Sequence, residues 1–251
     1  LTTTHIGFVL GPRINAAGRL SSPDYALQML LTEDVLEAEE LAKKLNLENR
    51  ARQNIEEKIL KEALLQIDAT VNFKDHRVIV LENEAWHPGV IGIVASRIVD
   101  RFYRPTVMIA LDNIKGKGSA RSIKDFHRVD AISKGSHFLE GFGGHANACG
   151  ITIKKDLIEN FRSHLNVVAK DVLTPDHLIP KIDIDMNISL KSITESVISD
   201  LMSLEPFGIG NPKPLFATSK LKLKSAPRRI NRNGVKMWVT DGKMTYEAIA
   251  F

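Results

Sequence analysis

One long stretch near the start of the chain has apolar residues at helical spacing. From Val35 to Ile67 they return every three or four positions, and no glycine or proline lies between Glu33 and Asp68. This pattern predicts a single helix of roughly 50 Å, because each helical residue adds about 1.5 Å. Thr32 is the predicted N-cap. Most other positions are polar, which favours a helix that connects globular parts over a core helix.

Short apolar runs alternate with helical patterns in the segment that follows. Strands are predicted at 77–81, 106–111, 119–122 and 151–153, and helices at 88–101, 130–138 and 157–173. Segment 119–122 is predicted to be an edge strand, and the glycines of 141–150 predict a loop. Such alternation over so short a length is typical of a compact α/β domain.

The two ends of the chain have other patterns. Glycine and proline punctuate residues 1–24, which predicts a structured loop joined to a short helix. Near the other end, a predicted strand at 182–186 and a helix at 193–204 precede alternating residues from Phe216 onward, with hairpin turns at Asn233-Gly234 and Asp241-Gly242. That alternation is typical of the first half of a small β-barrel.

Composition narrows the class of protein. Of 251 residues, 43% are hydrophobic, 25% are charged and one is cysteine, which excludes collagen-like, disulfide-scaffold and disordered chains. The lone Cys149 cannot form an internal disulfide, so we expect a reducing, cytoplasmic location. No apolar stretch reaches the roughly 18 residues of a membrane helix, so no membrane partner is expected. Because the chain begins at Leu1 and Phe251 falls inside a predicted strand, we expect a piece of a longer protein.

The net charge of +4 is unevenly distributed. Residues 1–70 hold 8 basic and 11 acidic residues, whereas residues 181–251 hold 11 and 7. Between Lys213 and Lys243 a single acid, Asp241, accompanies nine basic residues, among them Lys220, Lys222, Lys224, Arg228, Arg229 and Arg232. Two interpretations are open: a solvated strand surface, or a face that follows the phosphates of a nucleic acid.

Three short segments combine small residues with groups that bind anions. In GPRINAAGRL (11–20), Arg13, Asn15 and Arg19 stand among alanines and glycines, which suits bidentate phosphate contacts. A tight turn whose arginines pair with carboxylates elsewhere is the alternative.

In GFGGHANACG (141–150), Gly143 and Gly144 precede His145, the only reactive group of a segment with little side-chain bulk. Its backbone N–H groups could face an anion; the alternative is a structural histidine that caps a turn. In SARS (119–122), Ser119 and Arg121 share one face of a strand and, with Ser122, offer hydroxyls beside a guanidinium. Here the alternative is an exposed polar edge. His87 either faces a ligand or starts the following helix.

The sequence contains no CxxC pair, no HExxH and no GxSxG motif. A cage of carboxylates and imidazoles for catalytic metal ions is therefore not visible, and we assign no metal ligand.

Five segments together carry a resemblance: GPRINAAGRL (11–20), HPGVIGIVASRI (87–98), KGSARS (117–122), FGGHANACG (142–150) and PFGIGNPKPLF (206–216). In order and spacing they resemble the RecJ family of the DHH phosphoesterase superfamily, single-strand-specific 5′-to-3′ DNA exonucleases of repair and recombination. The resemblance implies an α/β DHHA1 domain at 71–174, an interdomain segment with the long connecting helix at 1–70, and a partial OB-fold at 175–251. It also implies Mn²⁺ or Mg²⁺ held by a DHH domain, whose motifs we expect ahead of Leu1.

The resemblance also implies roles for particular residues. Arg13 or Arg19, with Ser119 and Arg121, would grip the terminal 5′-phosphate of single-stranded DNA, and His145 would contact the scissile phosphate as a catalytic residue. The basic stretch would follow the strand, although only Phe216 and Trp238 there could stack on bases. Single-strand binding protein and a helicase are possible partners. Two other hypotheses are a small-molecule or oligonucleotide phosphoesterase of the same superfamily, and a non-catalytic nucleic-acid-binding module.

Overall fold

The computed structural model describes residues 1–124, 126, 128–145, 148–230 and 234–250, without the side chains of residues 128, 129, 145 and 148. The chain divides into two units, one formed by Thr4–Pro180 and one by Lys181–Phe251 with Leu1–Thr3. Each is described by itself below. The boundaries expected from sequence, 1–70, 71–174 and 175–251, stay a prediction.

The first residues are helical, contrary to the predicted loop. They form α1 (Thr3–His5), a π-helical turn (Ile6–Leu10), α2 (Gly11–Leu20), α3 (Asp24–Leu31) and α4 (Val35–Thr70). Pro12 lies in the first turn of α2, where its missing N–H costs no helical hydrogen bond. Ala16 and Ala17 are fully buried, so the small residues let α2 approach its neighbours closely.

The predicted long helix is present as α4. Its 36 residues span about 54 Å. The N-cap is Asp34 and not Thr32, because the Asp34 carboxylate accepts the N–H of Leu36 at 2.8 Å, whereas the Thr32 hydroxyl accepts the N–H of Asp34 at 3.2 Å.

One face of α4 is buried, which the prediction of a connector did not anticipate. The buried residues recur every three or four positions: Leu45, Asn49, Arg52, Glu56, Ile59, Ala63 and Ile67. This spacing places them in one stripe along the helix. The helix is therefore part of the core of the first unit, and three polar residues lie in the middle of its stripe.

A five-stranded sheet forms the centre of this unit. Its strands are β1 (Ile79–Asn83), β2 (Thr106–Leu111), β3 (Lys115–Arg121), β4 (Leu139–His145) and β5 (Ala148–Lys154), in the order β1-β2-β3-β5-β4. β1 and β2 are parallel, and all other pairs are antiparallel. The accompanying helices are α5 (Ile91–Phe102), α6 (Arg128–Lys134) and α7 (Ile158–Val172), with 3₁₀ turns at Ser136–Phe138, Lys155–Leu157 and Pro175–Leu178.

Two predictions about this sheet were wrong. Segment 119–122 is not an edge: residues 119–121 lie in β3, which pairs with β2 on one side and β5 on the other, and Ser122 follows the strand. The glycine-rich segment 141–150 is not a loop: its described residues belong to β4 and β5, in which Gly143 pairs with Gly150. Glycine is a poor strand former on its own, so pairing with neighbouring strands decides the structure here.

The sheet separates two hydrophobic layers because successive strand residues point to opposite faces. On one face, Val78, Val80, Val107 and Ile109 pack with residues of α7 such as Phe161. On the other, the alternate residues pack against α5 and α4: Ile79, Leu81, Met108 and Ala110 with Val94, Ala95, Ile98, Ile59, Ala63 and Ile67.

A polar network joins α4 to α5 beside this layer. Arg52 donates to the Asn49 side-chain oxygen at 3.0 and 3.1 Å and to Glu56 at 2.5 Å. The second Glu56 oxygen accepts from Arg97 at 3.0 Å. Since one carboxylate binds two guanidinium groups, this buried polar stripe has its hydrogen bonds satisfied.

The outer edge of β1 is satisfied by side chains. The Asn166 side-chain oxygen accepts the N–H groups of Arg77 and Val78 at 2.7 and 3.0 Å, and its amide donates to Val78 O at 3.2 Å. Further along, Arg162 donates to Val80 O at 3.2 Å, and Gln66 to Glu82 O at 3.2 Å. These contacts cover an edge that would otherwise offer free backbone groups to another strand.

The second unit contains α8 (Glu195–Met202), the 3₁₀ turn Leu190–Ser192 and six strands: β6 (Met186–Asn187), β7 (Phe216–Ala217), β8 (Lys222–Leu223), β9 (Arg228–Ile230), β10 (Gly234–Thr240) and β11 (Thr245–Ala250). The strand predicted at 182–186 is limited to β6. β10 is central, pairing antiparallel with β11, β8 and β9. Residues 231–233, which include Asn233 of one predicted turn, lie outside the described residues.

The predicted Asp241-Gly242 turn joins β10 to β11. Gly242 has φ +94°, a conformation that side chains disfavour. The N–H groups of Met244 and Lys243 each donate to the Asp241 carboxylate at 2.8 Å. These bonds, that from Met244 first, lower the pKa of Asp241 below its ordinary value, because they stabilise the charged form.

We predict that Asn166→Ala lowers the free energy of unfolding by about 2–4 kcal/mol, because buried N–H and C=O groups of Arg77 and Val78 lose their partner. Urea denaturation of the chain measures this. Ser163→Ala on the exposed side of α7 is the control and should change stability by less than about 0.5 kcal/mol. Equal stability of both variants would contradict the edge contacts.

Candidate nucleic-acid interface

The three polar residues of α2 have different surroundings. Arg13 donates to the Asn46 side chain at 3.2 Å and to Val9 O at 2.7 Å, so its guanidinium is held by neighbouring helical residues. Asn15 and Arg19 instead line an open cavity of about 860 Å³ between α2, α4 and α5, together with Arg52 and Arg97. Neither Arg13 nor Arg19 pairs with a carboxylate among the described contacts. The alternative of a turn whose arginines pair with carboxylates therefore does not apply.

Arg19 lies against the turn that precedes α5. Its guanidinium donates to Gly89 O at 3.0 Å. A Cβ on Gly89 would come within 2.4 Å of Arg19 O, so only glycine allows α2 to end this close to the turn. The C-terminal end of α2 is therefore fixed at the start of α5.

His87 organises this turn. Its ring nitrogen Nδ1 accepts the N–H of Gly89 at 3.1 Å, and its carbonyl accepts the N–H groups of Val90 and Ile91 at 3.0 and 3.2 Å. His87 is thus a helix-start residue, one of the two alternatives that the sequence left open.

Ser119 and Arg121 come from β3 and meet α5 at its first turn. Arg121 donates to the Ser119 hydroxyl at 3.0 Å and to Ala120 O at 2.9 Å, which confirms that the two side chains share a face. A Cβ on Gly92 would lie 2.9 Å from both the Arg121 guanidinium and the Ser119 hydroxyl. Arg19 and the Ser119–Arg121 pair thus both lie around the start of α5, against Gly89 and Gly92.

Ser122 is not part of this group. Its hydroxyl donates to Phe126 O at 3.0 Å, so it holds the segment that follows β3. The strand period places it on the opposite face from Ser119 and Arg121.

The glycine-rich hairpin lies directly beside Ser119. Gly143 pairs with Gly150 across β4 and β5, and Gly150 pairs in turn with Ser119 of β3. A Cβ on Gly143 would meet nothing within 4 Å, so internal packing does not require this glycine. Bare backbone here forms part of an open cavity of about 370 Å³ that Lys117 also lines.

Gly144 and His145 continue β4, paired with Cys149 and Ala148. The side chain of His145, the predicted catalytic group, lies outside the described part of the chain, as do residues Ala146 and Asn147. Cys149 is buried.

In the second unit, one side of the β10 sheet collects basic residues around an indole. Register pairs Lys236 with Arg228, Trp238 with Glu247 and Thr240 with Lys222. Paired residues of antiparallel strands lie on the same side, so Lys222, Arg228, Lys236 and Trp238 share it. Trp238 is 42% exposed.

The other basic residues predicted to bind DNA are placed differently. The backbone N–H of Lys224 donates to Trp238 O at 2.9 Å, which continues the pairing of β8 with β10 and places Lys224 opposite Trp238. Arg229 pairs with Val235 on the opposite side of the sheet, although it still borders the cavity of about 420 Å³ next to Trp238. Lys220 has φ +60° and precedes β8, and Arg232 lies outside the described residues.

Sequence reasoning left Lys236 out of the candidate site and named Trp238 only as a ring that could stack on bases. The period-two spacing of these residues in β10 was a usable signal. The sequence does not show which strand pairs with β10, and only pairing with β9 places Arg228 beside Lys236 and Trp238. Lys236 is partly neutralised by Glu247 at 2.8 Å.

Within the described ranges, no group of three or more His, Cys, Asp or Glu side chains could hold a metal ion. The described residues therefore do not fit a catalytic metal site. The described helices also include none with the length and apolar character needed to cross a membrane.

Comparisons with known proteins identify the family of this chain. Residues 75–171 match the DHHA1 domain, and residues 184–251 match the RecJ OB domain. The chain is 38% identical over 250 residues to the single-stranded-DNA-specific exonuclease RecJ of Bacillus subtilis, covering 98% of this chain and 31% of that protein. The chain belongs to the RecJ family. Of that family it carries the DHHA1 and OB domains, which confirms the resemblance seen in the sequence and the predicted fold class.

Other RecJ proteins give the same result. RecJ of Thermus thermophilus is 35% identical over 229 residues, covering 91% of this chain and 32% of that protein. Its crystal structure in complex with Mn²⁺ matches with a TM-score of 0.85 at 31% identity, over 98% of this chain and 36% of that one. The structure in complex with Mg²⁺ gives a TM-score of 0.81 at 33% identity, over 96% of this chain and 37% of that one. The chain thus spans about a third of the length of these RecJ proteins.

We predict that Gly92→Ala leaves the fold intact but weakens binding of inorganic phosphate about tenfold, because the methyl group displaces Arg121 and Ser119 and loses a charged hydrogen bond. Calorimetric titration measures the affinity. Gly18→Ala is the control, since its Cβ would meet only Pro23 at 3.8 Å. Unchanged phosphate affinity in Gly92→Ala would show that the Ser119–Arg121 pair does not bind the anion.

Proposed function

We propose that this chain is the part of a metal-dependent single-stranded-DNA-specific 5′-to-3′ exonuclease that binds the 5′ end and the strand. The observation that carries the proposal is the placement of Arg19 against Gly89 and of the Ser119–Arg121 pair against Gly92, three residues apart around the start of α5. The names of the RecJ relatives support it. Repair and recombination of DNA are the processes in which such an activity would serve.

The Ser119–Arg121 pair suits a terminal phosphate. A planar guanidinium can donate two parallel hydrogen bonds to a phosphate, and the Ser119 hydroxyl at 3.0 Å fixes its direction. A terminal phosphate carries more negative charge than an internal phosphodiester, so a second arginine adds selectivity for the strand end. We propose Arg19 for that role, because it donates to Gly89 O in the turn that leads into α5. Arg13 is instead held by Asn46 and Val9.

We further propose that the Gly143–Gly144–His145 segment receives the scissile phosphate. Two strand spacings separate β4 from β3, which is about 10 Å. The terminal phosphate and the next phosphodiester would thus be bound by different strands. Bare backbone at Gly143 leaves room for the sugar–phosphate chain and exposes backbone donors to it. His145 remains the proposed catalytic contact.

The metal ions of the proposed exonuclease would be held outside the described residues. The RecJ structures that match were determined with Mg²⁺ or Mn²⁺, and the described residues of this chain offer no cluster that could hold either ion. We propose that a DHH domain holds them and that this chain supplies only the phosphate contacts.

The OB domain would hold the rest of the strand. Single-stranded DNA is bound by positive charge that follows the backbone and by aromatic rings on which bases stack. Trp238 with Lys222, Lys224 and Arg228 provides both on one side of the β10 sheet. Single-strand binding protein and a helicase stay proposed partners, and a cytoplasmic location stays a prediction.

The test of the 5′-end site compares 5′-phosphorylated and 5′-hydroxyl single strands of one sequence by fluorescence anisotropy. We predict that the chain binds the phosphorylated strand more tightly, without degrading it when Mn²⁺ is present. In Arg19→Gln, the ratio of the affinities for the phosphorylated and the hydroxyl strand should fall about tenfold, because one charged contact is lost. In Arg13→Gln this ratio should stay unchanged. The reverse result would assign the phosphate to Arg13. Equal affinity for a dinucleotide and a 20-mer would favour a small-molecule phosphoesterase.

A separate prediction concerns the OB domain. Trp238→Ala should weaken binding of single-stranded DNA by about 1–3 kcal/mol through lost stacking, with the salt dependence unchanged. Lys222→Gln should instead lower the slope of log affinity against log salt by about 0.7, the value of one released counterion. Anisotropy titrations at several salt concentrations measure both. A change of slope in Trp238→Ala, or none in Lys222→Gln, would contradict the division of roles.

A further inference from the structure

An indole anchors the turn that leads into α5 to the long helix. Trp86, three residues before Gly89, is only 4% exposed. Its Nε1 donates to Glu62 Oε2 of α4 at 3.0 Å, and its ring belongs to the hydrophobic cluster that includes Ile59 and Ala63 of the same helix. A buried indole N–H needs an acceptor, and Glu62 supplies it. The turn is therefore held to α4 by a directed bond as well as by packing.

The end of α2 is anchored to the same helix. Ser21, which caps α2, donates through its hydroxyl to Glu48 Oε1 at 2.8 Å. At 1.5 Å per residue, Glu48 and Glu62 lie about 21 Å apart along α4. The helix thus carries both elements that meet where Arg19 donates to Gly89 O. The geometry of that contact depends on α4 as a common frame.

A short chain of contacts leads from Trp86 to Arg19. The next residue, His87, accepts the N–H of Gly89 through its ring nitrogen Nδ1 at 3.1 Å. The carbonyl oxygen of Gly89 in turn accepts from Nη1 of Arg19 at 3.0 Å. The turn and α2 are in close contact here, because a Cβ on Gly89 would come within 2.4 Å of Arg19 O. A displaced Trp86 therefore moves the acceptor that holds the Arg19 guanidinium.

We propose that Trp86 and Glu62 are positioning residues for Arg19 in the binding of a terminal phosphomonoester. This inference rests on the proposed function, in which Arg19 contacts the 5′-phosphate of a single strand. Neither residue touches the anion. They fix Gly89 O, which holds one guanidinium nitrogen and so aims the remaining N–H groups. Because a hydrogen bond depends on direction as well as distance, a displaced anchor weakens phosphate binding although Arg19 keeps its charge.

The first experiment measures, by fluorescence anisotropy, the ratio of the affinities for a 5′-phosphorylated and a 5′-hydroxyl strand of one sequence. Trp86→Phe keeps a buried ring without the N–H, and we expect this ratio to fall about threefold through partial loss of a charged hydrogen bond. Glu62→Met removes the acceptor and should have the same effect. Glu62→Gln makes the same change of charge but keeps a side-chain oxygen, so its ratio should stay at the wild-type value. Glu62→Met carries the test if Trp86→Phe does not fold.

The second experiment separates positioning from a general loss of stability. In an Arg19→Gln background, Trp86→Phe should not lower the ratio further, because residues that act through one another are not additive. Asn166→Ala is the control for stability: it removes a buried hydrogen-bonding group at the far edge of the sheet and should leave the ratio unchanged. An equal fall of the ratio in both backgrounds, or a fall in Asn166→Ala, would overturn the inference.

Failure of this inference differs from failure of the proposed function. A wild-type chain that binds both strands equally would overturn the 5′-end site itself, and the positioning role with it. A wild-type preference for the phosphorylated strand that Trp86→Phe and Glu62→Met both leave unchanged would overturn the positioning role alone.

Discussion

Close approach at Gly89 and Gly92 is the constraint on which the candidate phosphate site depends. With any side chain at Gly89, α2 could not end against this turn and Arg19 would move away. With any side chain at Gly92, the Ser119–Arg121 pair would lose its place against α5. One turn of backbone thus positions groups from a helix and a strand. The rest of the first unit, with its two hydrophobic layers, holds that turn and β3 at a fixed separation.

Much of the fold could be predicted from the sequence because it depends on local periodicity. The long helix, β2 and the shared face of Ser119 and Arg121 all follow from spacing along the chain. Features set by distant partners could not be predicted in this way. The central position of β3 and the strand structure around Gly143 depend on hydrogen bonds to β5, and local glycine content indicated a loop instead. Helical packing of Ala16 and Ala17 was missed for the same reason.

The candidate site also combines features that local sequence predicts with features that distant partners decide. Residue types identified Arg13, Arg19, Ser119 and Arg121 as groups for anions, but only tertiary packing separates Arg19 from Arg13. In the OB domain the basic stretch was evident, whereas its sorting onto two sides of a sheet was not. Arg229 and Arg228 are neighbours in sequence and lie on opposite sides, because each follows its own partner in β10. This pairing places Trp238 on the same side of the sheet as Arg228.

The buried carboxylate of Glu56 has a consequence for how this chain can vary. Arg52 of α4 and Arg97 of α5 share its two oxygens, and replacing one member of a buried ion pair leaves a charge without compensation, at a cost of about 3–5 kcal/mol. Arg52 and Glu56 are both buried, whereas Arg97 is half exposed, so the coupling is strongest between Arg52 and Glu56: losing one of these two alone should cost more than losing both. At this contact between the long helix and α5, the residue on each helix therefore limits which substitutions the residue on the other helix can accept.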